Sequence, residues 1–265
     1  RRKFFATMFQ TFKFFSLYAN IDQFNHSEAY IPLENRQEID KWIISLLNTL
    51  KKEVNADFAA YEPTQAARRI QSFADSHLSN WYVRLCRRRF WKGEYSEDKI
   101  AAYQTLYECL STISKLIAPI SPYFSDWLFK NLNDVSQLES HPSVHLVDFP
   151  QPVDGAIDKA LEERMDYAQR ISSLVLSLRK KDNLRVRQPL KRILLPVLNP
   201  EFQEQVEALK DLIMAEVNVK DIEYITDTSG IIKKKAKANF KTLGRKLGKD
   251  MKAAAAIIQK FDNDT

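Results

Sequence analysis

Ser79-Asn80-Trp81-Tyr82-Val83-Arg84-Leu85-Cys86-Arg87-Arg88-Arg89-Phe90-Trp91-Lys92-Gly93-Glu94 is the stretch on which the fold turns. Arg84, Arg87, Arg88, Arg89 and Lys92 are interleaved with Trp81, Tyr82, Phe90 and Trp91. At about 100° per residue, a helix puts His77, Asn80, Arg84, Arg87, Arg88 and Trp91 on one face and Leu78, Trp81, Tyr82 and Leu85 on the other. One side suits a core. The other offers guanidinium groups for phosphate and flat rings for unstacked bases, the chemistry of a surface that meets a nucleic acid. A solvated amphipathic helix has the same pattern, and the stretch alone favours that plainer reading.

Outward from it, helical periodicity dominates. Upstream, Ala66, Ala67, Ile70, Phe73, Ala74 and Leu78 continue the apolar stripe back to Pro63, an apt first-turn residue, and Gly93 supplies a stop. Arg2 to Tyr18 reads as a helix buried on a wide face through Phe5, Met8, Phe9, Phe12 and Phe15. A loop follows through His26 to Leu33, where Pro32 blocks helix continuation. Asn35 and Glu38 have capping-box spacing ahead of the stripe Ile39, Trp42, Ile43, Leu46, Leu47, Leu50 and Val54. Downstream, Ile100, Tyr103, Leu106, Tyr107, Leu110, Ile113 and Ile117 predict a helix ended by Pro119 and Pro122. A short helix over Tyr123 to Leu132 points Trp127 and Leu128 inward. Residues 133–155, with Pro142, Pro150 and Pro152, form an irregular return across the bundle. A long helix from about Asp154 buries Ile157, Leu161, Met165, Ala168, Ile171, Val175 and Leu178 and ends in Arg179-Lys180-Lys181, favourable at a helix C-terminus.

The period changes at Leu184. Arg192 to Val197 reads as a strand, Pro200 to Ala215 as a helix, and Val219 to Ile225 as a second strand. Thr228-Ser229-Gly230 is a turn and Ile231 to Phe240 a basic strand or arm. A last helix has Leu243, Leu247, Met251, Ala254 and Ile258 on one face and Lys241, Arg245, Lys249 and Lys252 on the other. Phe240 is assigned to the core of this part. The expected architecture is mainly α: an antiparallel helical bundle over residues 1–183, with connecting segment 133–155, followed by a small basic α/β domain over residues 184–265.

Composition sets bounds on function. The chain has 265 residues, is 45% hydrophobic with 11% aromatic residues, and contains 5 glycines, which suits packed helices. Its net charge is +6, with nine Lys/Arg against one acid between Lys233 and Lys252, a balance that suits an anionic partner. Cys86 and Cys109 sit inside helical patterns and form no C-x-x-C pair, so a reducing, cytoplasmic setting is expected, without a disulfide framework or zinc site. No stretch is long and apolar enough for a membrane span. His141 and His145 are four apart, but Pro142 argues against the helix that would converge them on a metal. No Gly-rich phosphate loop, metal-ligand cluster or nucleophile with an evident base is present, so no catalytic residue is assigned. The first residue is Arg1, already inside a helical pattern, which suggests a piece of a longer protein.

The order of motifs is then specific. Tyr18-Ala19-Asn20, Lys41-Trp42-Ile43-Ile44-Ser45-Leu46-Leu47-Asn48-Thr49-Leu50, Asn80-Trp81-Tyr82-Val83-Arg84 and Ile117-Ala118-Pro119-Ile120-Ser121-Pro122-Tyr123-Phe124 resemble the anticodon-binding bundle of class I aminoacyl-tRNA synthetases for branched aliphatic amino acids. Leu184-Arg185-Val186-Arg187-Gln188-Pro189-Leu190 and Lys237-Ala238-Asn239-Phe240-Lys241-Thr242-Leu243-Gly244 look like the isoleucine-specific enzymes, of the eukaryote-like type without a zinc ribbon. The resemblance implies a parent enzyme that attaches isoleucine to its tRNA with ATP and Mg. The His-Ile-Gly-His and Lys-Met-Ser-Lys-Ser signatures of that chemistry are absent here, as is an editing domain. The implied partners are isoleucine tRNA and a catalytic domain in cis, with no cofactor in this piece, no membrane and a monomeric state. The same region of a valyl or leucyl enzyme is an alternative, although valyl enzymes usually end in a coiled-coil arm that is not evident here. A helical protein-interaction scaffold is another.

Under this resemblance Arg84, Arg87, Arg88 and Trp91 are the RNA-facing set of the bundle and Asn80 a base-edge contact, while Trp81 and Tyr82 become core. Arg89 stands evenly between an ion pair and RNA. Arg185, Arg187 and Lys191 stand between phosphate contact and internal ion pairs. The face formed by Lys241, Arg245, Lys249 and Lys252 is either RNA-binding or solvated, with a lean to RNA.

Overall fold

The computed structural model describes residues 2–92, 94–197, 199–226, 238–240, 243 and 248–258, the side chains of Arg2 and Lys249 excepted. The chain divides into two compact units, Arg1–Arg170 and Ile171–Thr265.

The first unit is a helical bundle of α1 (Arg2–Asp22), α2 (Glu38–Ala59), α3 (Pro63–Ser72), α4 (Arg84–Trp91), α5 (Glu97–Ile117), α6 (Pro122–Ser136) and the start of α7 (Lys159–Lys181). A π-helical segment, Phe73–Val83, joins α3 to α4 without a break. α5 is the central element: it packs against α1, α2, α3, α4 and α6, and is buried almost all round from Ala101 to Ala118. This is why its sequence carries apolar or small residues beyond one stripe. Its start is capped by Ser96, whose Oγ accepts a hydrogen bond from Lys99 N.

Several expectations shift in register. α1 buries Phe4, Met8, Thr11, Phe15 and Ala19, so Met8 and Phe15 are buried as expected while Phe5, Phe9 and Phe12 are not. Phe9 is 46% exposed and stacks on Trp127, at 5.8 Å between ring centroids. Trp127 is correspondingly turned outward, and α6 buries Leu128, as expected, with Phe129 and Leu132. α2 starts at Glu38 with Gln37 at its N-cap and no side-chain cap, so Asn35 does not begin it. The cause lies at Arg36. Its buried guanidinium donates to the Ile31 carbonyl and to Thr105 Oγ1, which holds the chain extended immediately before the helix.

Residues 137–158 cross from α6 to α2. Asp126 on α6 accepts from Ser143 Oγ and Val144 N, and Asn48 on α2 accepts from Val153 N. Asp154–Ala156 forms a 3₁₀ turn and Ile157 is extended, so α7 begins at Lys159 with Asp158 Oδ1 accepting from Leu161 N, not at Asp154.

The second unit has two parallel strands, β1 (Ile193–Pro196) and β2 (Ile222–Ile225), in the register Ile193↔Ile222 to Pro196↔Ile225. Parallel pairing requires a crossover, and α8 (Pro200–Glu207) and α9 (Lys210–Val217) supply it. The crossover was expected as one helix. It breaks at Leu209, whose backbone leaves the helical region (φ −114°, ψ 17°) while its side chain is buried with Phe202, Val206, Ile213 and Val217. Asn218 ends α9 in the left-handed conformation, φ 51°. Leu178, expected inward, is exposed, and Arg179 is buried in its stead. α10 (Met251–Ile258) anchors through Met251. Phe240 is 60% exposed, which removes it from the core assigned to it. The expected stop at Gly93, the turn 228–230, the arm 231–237 and the side chains of Lys241, Arg245 and Lys249 lie outside the described residues.

Candidate nucleic-acid interface

The helix running from Pro63 to Trp91 presents the predicted cationic face. Asn80, Arg84, Arg87, Arg88 and Trp91 are all exposed, Trp91 by 54%. Phe73, Ala74, Leu78, Trp81, Tyr82, Cys86 and Phe90 are buried on the opposite side. Two of the cations are aligned by aromatic rings. The Arg84 guanidinium lies 5.8 Å from the Trp81 ring and donates to the Asn80 carbonyl at 2.9 Å. The Arg87 guanidinium lies 5.9 Å from the Phe14 ring of α1. Such contacts restrict the rotamers of long cationic side chains.

His77 does not join this face. It is half-buried, with Nδ1 3.1 Å from Gln169 Oε1 and its ring against Trp42. The π-helical ladder explains the departure: hydrogen bonds that skip one further residue turn each side chain by less than the α-helical angle, so positions upstream of Arg84 drift off the face counted at α-helical spacing.

Arg89 is the exception within the arginine run, and the structure decides its role. Its guanidinium forms a bidentate pair with Asp40 of α2, Nη1–Oδ1 2.8 Å and Nη2–Oδ2 2.8 Å. It also grips Asp98 at the start of α5, with Nε–Oδ2 at 3.0 Å and Nη2–Oδ1 at 2.8 Å. The Asp40 side chain has 0% exposure. Tyr82 donates to the same carboxylate, Oδ1, at 2.6 Å. Burial works against the Arg89 charge, but the hydrogen bonds it donates to Asp40 overcome this and hold the guanidinium protonated above its ordinary range. Burial first, and the Asp40 charge second, push the Tyr82 hydroxyl well above its usual value. Burial also pushes the Cys86 thiol up to about 12, so it is no nucleophile. Trp81 completes the anchorage by donating Nε1 to Met165 Sδ at 3.2 Å.

Asp40 was missed as a site residue. The available signal was an acid at the start of the apolar stripe of α2, between Ile39 and, two residues on, Trp42, a position that calls for a buried cation. Arg179 was also missed. It donates from Nη1 to the Arg185 and Gln188 carbonyls and from Nη2 to the Asn218 carbonyl, at 3.1, 3.0 and 2.8 Å. It is therefore a bracket that shapes the second unit's 185–190 segment, not a solvated dipole partner. Arg185 and Arg187 of that segment, and Lys191 just after it, are exposed side chains. Lys252 is exposed as well. Among the described residues no group of three His, Cys, Asp or Glu side chains converges as a metal site, and no helix is long and apolar enough to cross a membrane.

The helical bundle thus lines up Arg84, Arg87 and Arg88 beside the exposed Trp91 on one helix face. The chain belongs to the family described as the anticodon-binding domain of tRNA ligase, which it matches over residues 40–194. Its relatives narrow this further. It is 51% identical to the isoleucine–tRNA ligase of Bacteroides thetaiotaomicron over 264 residues, covering 100% of this chain and 23% of that protein. It is 55% identical to the isoleucine–tRNA ligase of Cytophaga hutchinsonii over 258 residues, covering 97% of this chain and 23% of that protein. With the isoleucine–tRNA ligase of Dehalococcoides mccartyi it shares 42% identity over 219 residues, 83% of this chain and 21% of that protein. The chain thus spans about a quarter of the length of these relatives, at 23% for the first two.

Proposed function

We propose that the chain is the anticodon-recognition part of an isoleucine–tRNA ligase and binds the anticodon stem and loop of isoleucine tRNA. Arg84, Arg87 and Arg88 neutralise backbone phosphates, Trp91 stacks an unpaired base, and Asn80 reads a base edge. Arg185, Arg187, Lys191, Lys241, Arg245 and Lys249 extend the contact from the smaller α/β part, residues 184–265. The parent enzyme, acting in the cytoplasm as a monomer, attaches isoleucine to this tRNA with ATP and Mg. That chemistry is assigned to its catalytic domain, bound in cis, and no residue of this chain is assigned to ATP, Mg or editing.

The observation that carries the proposal is the joint exposure of Asn80, Arg84, Arg87, Arg88 and Trp91 on one anchored helix of an anticodon-binding domain. Filter binding of isoleucine and valine tRNA transcripts over a salt series tests it. Affinity for the isoleucine transcript should fall steeply with salt, because each neutralised phosphate releases counterions. Absent binding at low salt, or binding indifferent to salt, would refute it. In a full-length parent enzyme, Arg84→Ala with Arg88→Ala should weaken aminoacylation through tRNA affinity and leave ATP–pyrophosphate exchange intact.

A further inference from the structure

Arg87, Arg88 and Arg89 are chemically identical neighbours, yet the third is turned inward onto two carboxylates while the first two face solvent. Its partner Asp40 collects more than an ion pair. Tyr82, near the end of the π-helical segment, and Arg89, in the last turn of α4, both terminate on that one fully buried side chain. The two residues are seven apart, two helical turns, and so lie on the same side of the helix. Two attachments along one side fix both the height of the helix and its rotation about its own axis. Asp98 adds a third point from the N-terminus of α5.

We infer that Asp40, with Asp98, is a positioning residue for RNA recognition: it clamps Tyr82 and Arg89 and thereby sets the angle at which Arg84, Arg87, Arg88 and Trp91 are presented. This deepens the tRNA-binding reading and rests on it. Asp40 and Asp98 touch no RNA. The bidentate fork is the geometry that passes orientation along, since a planar guanidinium on a planar carboxylate resists rotation, whereas a single contact swivels. The same side chains exclude Arg89 from phosphate contact, because its donors are committed to Asp40 and Asp98.

A charge-sign experiment separates positioning from plain electrostatics. Asp40→Asn and Asp98→Asn each remove a negative charge next to the cationic helix. If only the summed charge mattered, both variants would bind isoleucine tRNA transcript as tightly as the unmodified chain or tighter. Positioning predicts the opposite. Measured on the folded fraction, below a cooperative melt followed by circular dichroism, affinity for the transcript should fall about tenfold in Asp40→Asn, with a shallower salt dependence as Arg84 and Arg88 lose their register. Asp98→Asn, at a half-exposed carboxylate, keeps the test decisive if Asp40→Asn does not fold, and should lose affinity by a smaller factor. Folded variants that bind as tightly as the unmodified chain would overturn the inference while leaving the tRNA-binding reading in place. Failure of the unmodified chain to bind would overturn both.

Discussion

Asp40 and Arg89 show what a single residue can be worth in this bundle. The Asp40 carboxylate has 0% exposure and Arg89 is the cation paired with it, so removing Arg89 strands a buried, uncompensated charge. Arg89→Met should therefore destabilise the chain by about 3–5 kcal/mol, measured by urea denaturation. Arg69 also touches two carboxylates, Asp57 and Glu53, but all the groups except Asp57 are about half exposed. Arg69→Met should cost less than about 1 kcal/mol in the same assay. His26 carries the acid sensitivity. It packs against Tyr107 and Phe24 with a buried Nε2 that has no hydrogen-bond partner among the described residues. Burial lowers its pKa from 6.5 to about 4, against the smaller opposing pull of Glu28. The unfolded chain takes up the proton first, so the contribution of His26 is complete above about pH 6.5 and is lost as pH falls towards 4. His77, lowered by burial too, adds to the same slope. Urea midpoints should fall across this window, and His26→Asn should flatten the fall, asparagine being chosen because position 26 has φ 66°.

At the scale of elements, the second unit depends on one side chain at the end of α7. Arg179→Met would remove the donors that hold the Arg185, Gln188 and Asn218 carbonyls together. Hydrogen exchange at Leu190, Val219 and Lys220 should then rise sharply, with a loss of roughly 3 kcal/mol in local stability. This residue also marks where sequence reasoning stops. Helix positions were legible because apolar residues recur at three and four, β1 was legible from a short apolar run and β2 from alternation over Val219 to Ile225. Counting at α-helical spacing placed His77 wrongly, because nothing in residues 73–83 announces a π-helical ladder. The capping-box spacing at Asn35 misled because Arg36 makes tertiary bonds that no local pattern contains. Arg179 read as a cation favourable at a helix end and Arg89 stood evenly between an ion pair and RNA, since charge alone does not reveal the carbonyls or carboxylates that distant chain segments bring to them. The exposed set at Asn80, Arg84, Arg87, Arg88 and Trp91 was legible, because an apolar stripe on one side dictates what remains on the other.

For the molecule as a whole, the arrangement around α5 sets the order of opening. Residues from Ala101 to Ala118 have neighbours on every side, so their amides should exchange last in the first unit, only as it unfolds globally. α4 is short and is held by Asp40, Asp98 and its packed aromatics, so its cations should stay ordered until the bundle itself opens. A division into two compact units further predicts that heat will not melt the chain in one all-or-none step, and calorimetric and van't Hoff enthalpies should disagree.

The shared carboxylate at Asp40 also resolves an ambiguity of alignment. Three consecutive arginines contain no positional information: a helix slipped by one residue would still offer a guanidinium to Asp40 and Asp98. The tyrosine seven residues earlier has no such duplicate. A slip that substituted Arg88 for Arg89 would bring Trp81, which lacks a hydroxyl, to the carboxylate in place of Tyr82. Tyr82 thus acts as the tooth of a key, making one alignment of an otherwise repetitive cationic helix distinguishable from its neighbours.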